Sequence, residues 1–170
     1  TSNIDFSVSS DRLDVIKGEY IKITFDIDID KGYFIYSTNE DLSLSPTRII
    51  WPDSTIFSDS SNFFEPTPSV KFDNNFDMEV SYHTNSIQLS QYFLTSSSIN
   101  GSIENIKGKL FYQICDASQC VRRFDDFSIS INIGNGTIRD EFSTIPEIKS
   151  TNSRNMLDDA IESGFISFII

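Results

Sequence analysis

A chain of 170 residues with 13 basic and 25 acidic side chains, net charge −12, has the length of one domain and lacks the clustered cations that nucleic-acid phosphates require. A domain of about 150 residues buries roughly 70% of its unfolded surface and needs no cross-link to stay folded. Two cysteines are too few for a disulfide-dense scaffold, and no window reaches the roughly 18–20 apolar residues of a membrane span.

In chain order, the first strong pattern is Ile21-Lys22-Ile23-Thr24-Phe25-Asp26-Ile27-Asp28-Ile29-Asp30. Its strict alternation predicts a half-buried strand with the isoleucines and Phe25 inward. Asp30-Lys31-Gly32 signals a turn, after which Tyr33 to Tyr36 resumes as a strand. Thr47 to Trp51 is another strand, stopped by Pro52. Residues 53–75, rich in Ser, Asp and Asn, read as a long irregular connection with Phe63 and Phe64 embedded in it. Strands follow at Phe76–Tyr82 and Ser86–Phe93, joined by a turn at His83-Thr84-Asn85 that leaves His83 on the surface. After a loop from Thr95 to Gly101 come a strand over Gly108–Ile114 and a cleanly alternating one over Phe127–Ile133, ended by Gly134-Asn135-Gly136.

Seven or eight short strands with turn signals about every ten residues predict an all-β, antiparallel β-sandwich. Residues 1–138 are expected to form this domain and residues 139–161 a polar linker, with a short helical pattern over Ser153–Ile161. Residues 162–170 are very apolar and read either as a terminal strand or as the start of a truncated transmembrane helix.

Cys115 and Cys120 flank the polar tetrapeptide Asp116-Ala117-Ser118-Gln119 after a strand, so they face each other across a tight hairpin. A bond there closes a ring of about six residues, which the chain-entropy account values at roughly 2 kcal/mol, against about 4 for a ring of sixty. Two readings stay open: a structural hairpin bond and a reversible redox pair. The spacing is not the Cys-x-x-Cys that opens a helix in thioredoxin-like proteins. Zinc would need four ligands, and two thiolates with a distant His83 fall short, so neither a metal nor a cofactor is expected. A Cys–His hydrolase fails for want of a nearby His. Asp125-Asp126 and Asp158-Asp159 read as solvated faces, and the glycosylation patterns at Asn100 and Asn135 as turn chemistry.

The stretch Tyr112-Gln113-Ile114-Cys115-Asp116-Ala117-Ser118-Gln119-Cys120 resembles the amino-terminal periplasmic domain of DsbD, the transmembrane thiol–disulfide interchange protein family. Asp30–Tyr36, Lys71–Val80 and Glu162–Ile170 resemble other segments of that family, and the likeness covers roughly residues 5–135. It implies an immunoglobulin-like sandwich whose Cys115 and Cys120 cycle between disulfide and dithiol, Cys120 forming the mixed disulfide. It also implies a periplasmic location, tethered to the bacterial inner membrane by a membrane domain beyond residue 170. Electrons would arrive from a thioredoxin-like domain fed through the membrane and leave to periplasmic disulfide isomerases and cytochrome c maturation proteins. An aromatic cap is expected at Ser61–Glu65, on Phe63 and Phe64, with Phe34 and Tyr36 lining the site. Val121-Arg122-Arg123 departs from the family, which carries proline there. The two arginines either favour a thiolate or are ordinary surface charge or partners of Asp125 and Asp126. Two other functions fit the same residues: an adhesion or scaffold module with a structural disulfide, and a carbohydrate-binding face on Trp51, Tyr33 and Tyr36.

Overall fold

The computed structural model describes residues 2–41, 44–74 and 76–146. The alternating segment forms β3 (Tyr20–Ile29), which buries Ile21, Ile23, Phe25, Ile27 and Ile29 on one face. It pairs antiparallel with β1 (Ile4–Ser10) on one side and β9 (Ser86–Thr95) on the other, and β6 (Phe57–Ser60) extends this sheet beyond β9.

The facing sheet is built on a long hairpin of β10 (Ile103–Cys115) and β11 (Cys120–Gly134). The far end of β11 takes β2 (Asp14–Ile16) in parallel. Along its other edge β10 pairs with β5 (Arg48–Ile50) and, nearer the tip, with β4 (Phe34–Tyr36). β8 (Met78–His83) lies against β4, and β7 (Ser69–Asp73) closes the edge. Among the described residues this gives a four-stranded sheet facing a seven-stranded one. The chain crosses between them at Thr84-Asn85, where Asn85 takes φ 62°, the left-handed turn conformation that Asn tolerates well.

The core fills the space between the sheets. Phe25 meets Phe127 edge-on at 5.0 Å and Trp51 meets Phe93 edge-on at 5.2 Å. Phe127 lies opposite Gly108, where a Cβ would come within 2.4 Å of its ring, so only glycine fits there. Trp51 packs on this core and Tyr36 is fully buried, so they form no open aromatic platform for a sugar.

A second, smaller cluster lies on the outer face of the seven-stranded sheet: Tyr36, Leu44, Val80 and Cys115, with Phe34 and Tyr82 against it. It exists because Ile114 and Tyr112 turn inward, which sends Cys115 to the opposite face.

Several expectations are corrected. Residues 53–75 are not simply irregular: they hold β6 and β7, short edge strands whose polar, exposed positions hide a period of two. The strand expected from Phe76 begins at Met78, because Asp77 takes φ 53° in a turn. His83 is buried, not on the surface. Asp125 accepts a bond from the Tyr112 hydroxyl at 2.5 Å, and Asp126 pairs with Lys109 at 2.6 Å, so the first of these acids is part of the hairpin's packing. Arg139, where a linker was expected to begin, bonds to the buried Glu19. The helical pattern at Ser153–Ile161 and the apolar segment 162–170 lie outside the described residues.

Candidate active site on the outer sheet face

The β10–β11 ladder runs in register to its last pair, Cys115 opposite Cys120, and these two form a disulfide. Beyond it the chain reverses in four residues, with the Asp116 amide donating to the Gln119 carbonyl at 2.9 Å. The Asp116 carboxylate accepts from the Ser118 amide at 2.7 Å, the Gln119 amide at 2.8 Å and the Ser118 hydroxyl at 2.9 Å. An aspartate that satisfies the backbone two and three residues ahead is what makes this tetrapeptide a turn. The Ser118 amide, then that of Gln119, holds the Asp116 carboxyl below its usual range.

The two sulfurs have unlike surroundings. Cys115 is fully buried in the outer cluster, whereas Cys120 is exposed. β4 forms the floor beside them: Phe34 pairs in register with Cys115, and the Tyr36 hydroxyl lies 4.0 Å from the Cys120 sulfur. Burial, followed by the charges of Asp73 and Glu40, pushes the Tyr36 phenol up, so it stays protonated and donates toward sulfur. Phe34 and Tyr82 meet at 5.2 Å, and the Lys71 ammonium stands 3.4 Å from the Phe34 ring centre and 4.7 Å from that of Tyr82. An open cavity of about 420 Å³ lies between the hairpin tip and the β7–β8 turn. Its walls include Phe34, Lys71, Asp73, Phe76, Gln113 and Cys120.

Of the residues singled out in the sequence, Cys115, Cys120, Phe34 and Tyr36 come together here. Phe63 and Phe64 do not. Phe63 packs on the main core, and Phe64 bridges Ser90 and meets Tyr92 edge-on at 5.8 Å. The next residue, Glu65, shows what anchors this loop. Its carboxylate accepts from Ser37 Oγ at 2.5 Å, the Thr38 amide and Asn39 Nδ2, both at 3.1 Å, and lies 2.8 Å from His83 Nε2. The aromatic at the rim of the disulfide cavity is Phe76, 45% exposed. The signal for it was a single phenylalanine inside the polar run Asp73-Asn74-Asn75-Phe76-Asp77, within a stretch already noted for its family likeness. Lys71 opens the same stretch, but nothing in its sequence neighbours sets it apart from an ordinary surface lysine. Arg122 lies opposite Gln113, two pairs below the cysteines.

Two facing sheets with a cross-strand disulfide opening on an outer face define an immunoglobulin-like domain with a candidate sulfur-exchange site. Residues 8–129 match the family described as Thiol:disulfide interchange protein DsbD, N-terminal, and the chain belongs to that family. Among solved structures it is similar to the N-terminal periplasmic domain of ScsB from Proteus mirabilis, with TM-score 0.54 and 17% identity over 78% of this chain and 46% of that one. It is also similar to the Neisseria meningitidis DsbD n-terminal domain in the reduced form, with TM-score 0.43 and 18% identity over 72% of this chain and 82% of that one. The chain thus spans less than half the length of the ScsB structure. No curated protein matches it.

Proposed function

We propose that this domain relays electrons by direct thiol–disulfide exchange at Cys115 and Cys120, between a membrane-linked reductant and thioredoxin-like proteins of the periplasm. The observation that carries this reading is the asymmetry of the pair: one sulfur is open to a docked protein and the other is sealed beneath it.

The exchange runs in two balanced halves. A donor thiolate attacks Cys120 Sγ, the Cys115 sulfur leaves as thiolate, and a mixed disulfide forms. The donor's second thiolate then attacks its own sulfur in that bond, so the donor becomes a disulfide and this domain a dithiol. In the outward half the Cys120 thiolate attacks a substrate disulfide, and Cys115 resolves the mixed disulfide by attacking Cys120. The substrate leaves as a dithiol and the Cys115–Cys120 bond re-forms. Phe76, at the rim of the cavity beside Cys120, narrows the approach of a small thiol and moves aside for a docked partner. The same reading places the domain on the periplasmic side of the bacterial inner membrane, joined to a membrane domain beyond residue 170, with isomerases and cytochrome c maturation proteins as electron acceptors.

The test is a trapping experiment with a thioredoxin-like partner. Cys115→Ser leaves an open Cys120 thiol that cannot be displaced from a mixed disulfide, so a covalent complex accumulates on non-reducing gels; Cys120→Ser gives none. A reduction potential below about −300 mV, the range of inert structural bonds, would overturn the reading in favour of a scaffold module.

A further inference from the structure

Lys71 occupies a place that packing alone does not explain. It lies on β7 opposite Val80 of β8, and a lysine on an edge strand ordinarily runs its stem along the surface and leaves its ammonium in water. Here the ammonium turns back over the rings of Phe34 and Tyr82. Aromatic faces attract a cation, but burial still disfavours the charge and draws the Lys71 pKa down, against the pull of Asp73. A leucine or methionine would cover the same two rings without that cost. The position therefore uses a charge, and the cavity beside it opens on Cys120.

The other charged and titratable groups around this cavity come from four strands, the hairpin turn and the segment after β4. Asp73 shares β7 with Lys71. Asp116 sits in the hairpin turn, its carboxylate taken up by Ser118 and Gln119. Glu40 accepts from the Ser81 amide of β8, and Tyr36 on β4 remains a neutral phenol. Tyr82 of β8 lies beneath the ammonium, and Arg122 stands two pairs down β11. Among the described residues lining the cavity, Lys71 is the one cation.

We propose, resting on the exchange reading above, that Lys71 is the positioning residue of this redox centre: its ammonium, held over Phe34 and Tyr82, favours the thiolate form of Cys120 once the disulfide is reduced. Reduction by a partner dithiol delivers two electrons and leaves two sulfurs. The buried Cys115 takes up a proton, and the charge resides on Cys120, the sulfur that must attack the next disulfide. Lys71 acts on the electron-bearing atom across the cavity that both residues line and takes no part in bond making.

The experiment titrates Cys120 as the sole thiol in a Cys115→Ser chain, following thiolate absorbance and alkylation rate against pH. Lys71→Gln and Lys71→Met should raise the midpoint by about one unit and slow alkylation near neutral pH roughly tenfold; Lys71→Arg should keep the original midpoint. An unchanged midpoint in the Gln and Met variants overturns the proposal, as does an equal rise in the Arg variant, which would assign the effect to packing. The unfolding midpoint of each variant shows that it is folded. Failure of the exchange reading is distinguishable: it shows as no mixed disulfide in the chain with Lys71 intact, whatever the titration gives.

Discussion

Phe76 and Phe63 are both phenylalanines in polar stretches, yet they answer to different forces. Phe76 stands 45% exposed at the rim of the disulfide cavity, so Phe76→Ala should speed reduction of the bond by a small thiol several-fold, read by stopped-flow, and leave stability almost untouched. Phe63 is partly buried on the main core. Phe63→Ala should leave that rate alone and destabilise the fold by roughly 2–3 kcal/mol in urea unfolding, less than the loss of a fully buried phenylalanine. The sequence makes the cysteine pair legible because everything that defines it is local: a strand, four turn residues and a second strand. It does not reveal which aromatic stands at the rim of the cavity beside that pair, since this depends on β7 and β8, some forty residues before the cysteines, folding back beside β4, some eighty before them.

β4 has only three residues, and its aim decides where Phe34 and Tyr36 stand. Its sides are fixed by β10 and β8, and the chain just past its end is gathered by Glu65 through Ser37, Thr38 and Asn39, with His83 closing the carboxylate's other side. Burial pushes the Glu65 carboxyl up, and the bonds from His83, Ser37 and Thr38 outweigh it, holding it below its usual range. A carboxyl lowered by folding contributes stability that is complete above its unfolded pKa of about 4.3 and lost as pH falls through the folded value. Glu65→Gln should therefore cost roughly 1–3 kcal/mol near neutral pH and flatten the acid side of the stability–pH profile, checked by urea unfolding across that range. Long alternating strands such as β3 and the inward half of β11 are legible because each repeats its pattern many times. β6 and β7 are not, because such short, largely exposed edge strands carry too few apolar residues for an alternation to show. His83 misleads for a related cause: its neighbours form a turn, while its partner Glu65 comes from across the sheet.

The end of the molecule away from the cysteines is fastened by charge. Glu19, fully buried, takes bonds from Arg139 Nε at 2.9 Å and NH2 at 2.8 Å and from Arg12 NH2 at 3.0 Å. The Phe142 ring lies 3.6 Å beneath the Arg12 guanidinium and 4.8 Å from that of Arg139. Burial raises the Glu19 carboxyl, but the Arg139 bonds prevail and bring it down to about 2. This stability is present above about pH 4.3 and fades as pH falls toward the folded value; Glu19→Gln, which removes the buried carboxylate that Arg139 and Arg12 share, should cost roughly 3 kcal/mol by urea unfolding. The disulfide lies outside the packing between the sheets, in the small outer cluster, with its two residues five apart in sequence. Folding and oxidation form a thermodynamic cycle, so whatever the bond adds to the fold, the fold adds to the bond. A six-residue ring contributes only about 2 kcal/mol, so oxidised and reduced domains should differ in unfolding free energy by about that amount. By the same cycle, folding lowers the potential of this pair by only about 45 mV relative to the unfolded chain. The domain thus holds its sulfurs in place while leaving their redox poise close to that of an unconstrained hairpin.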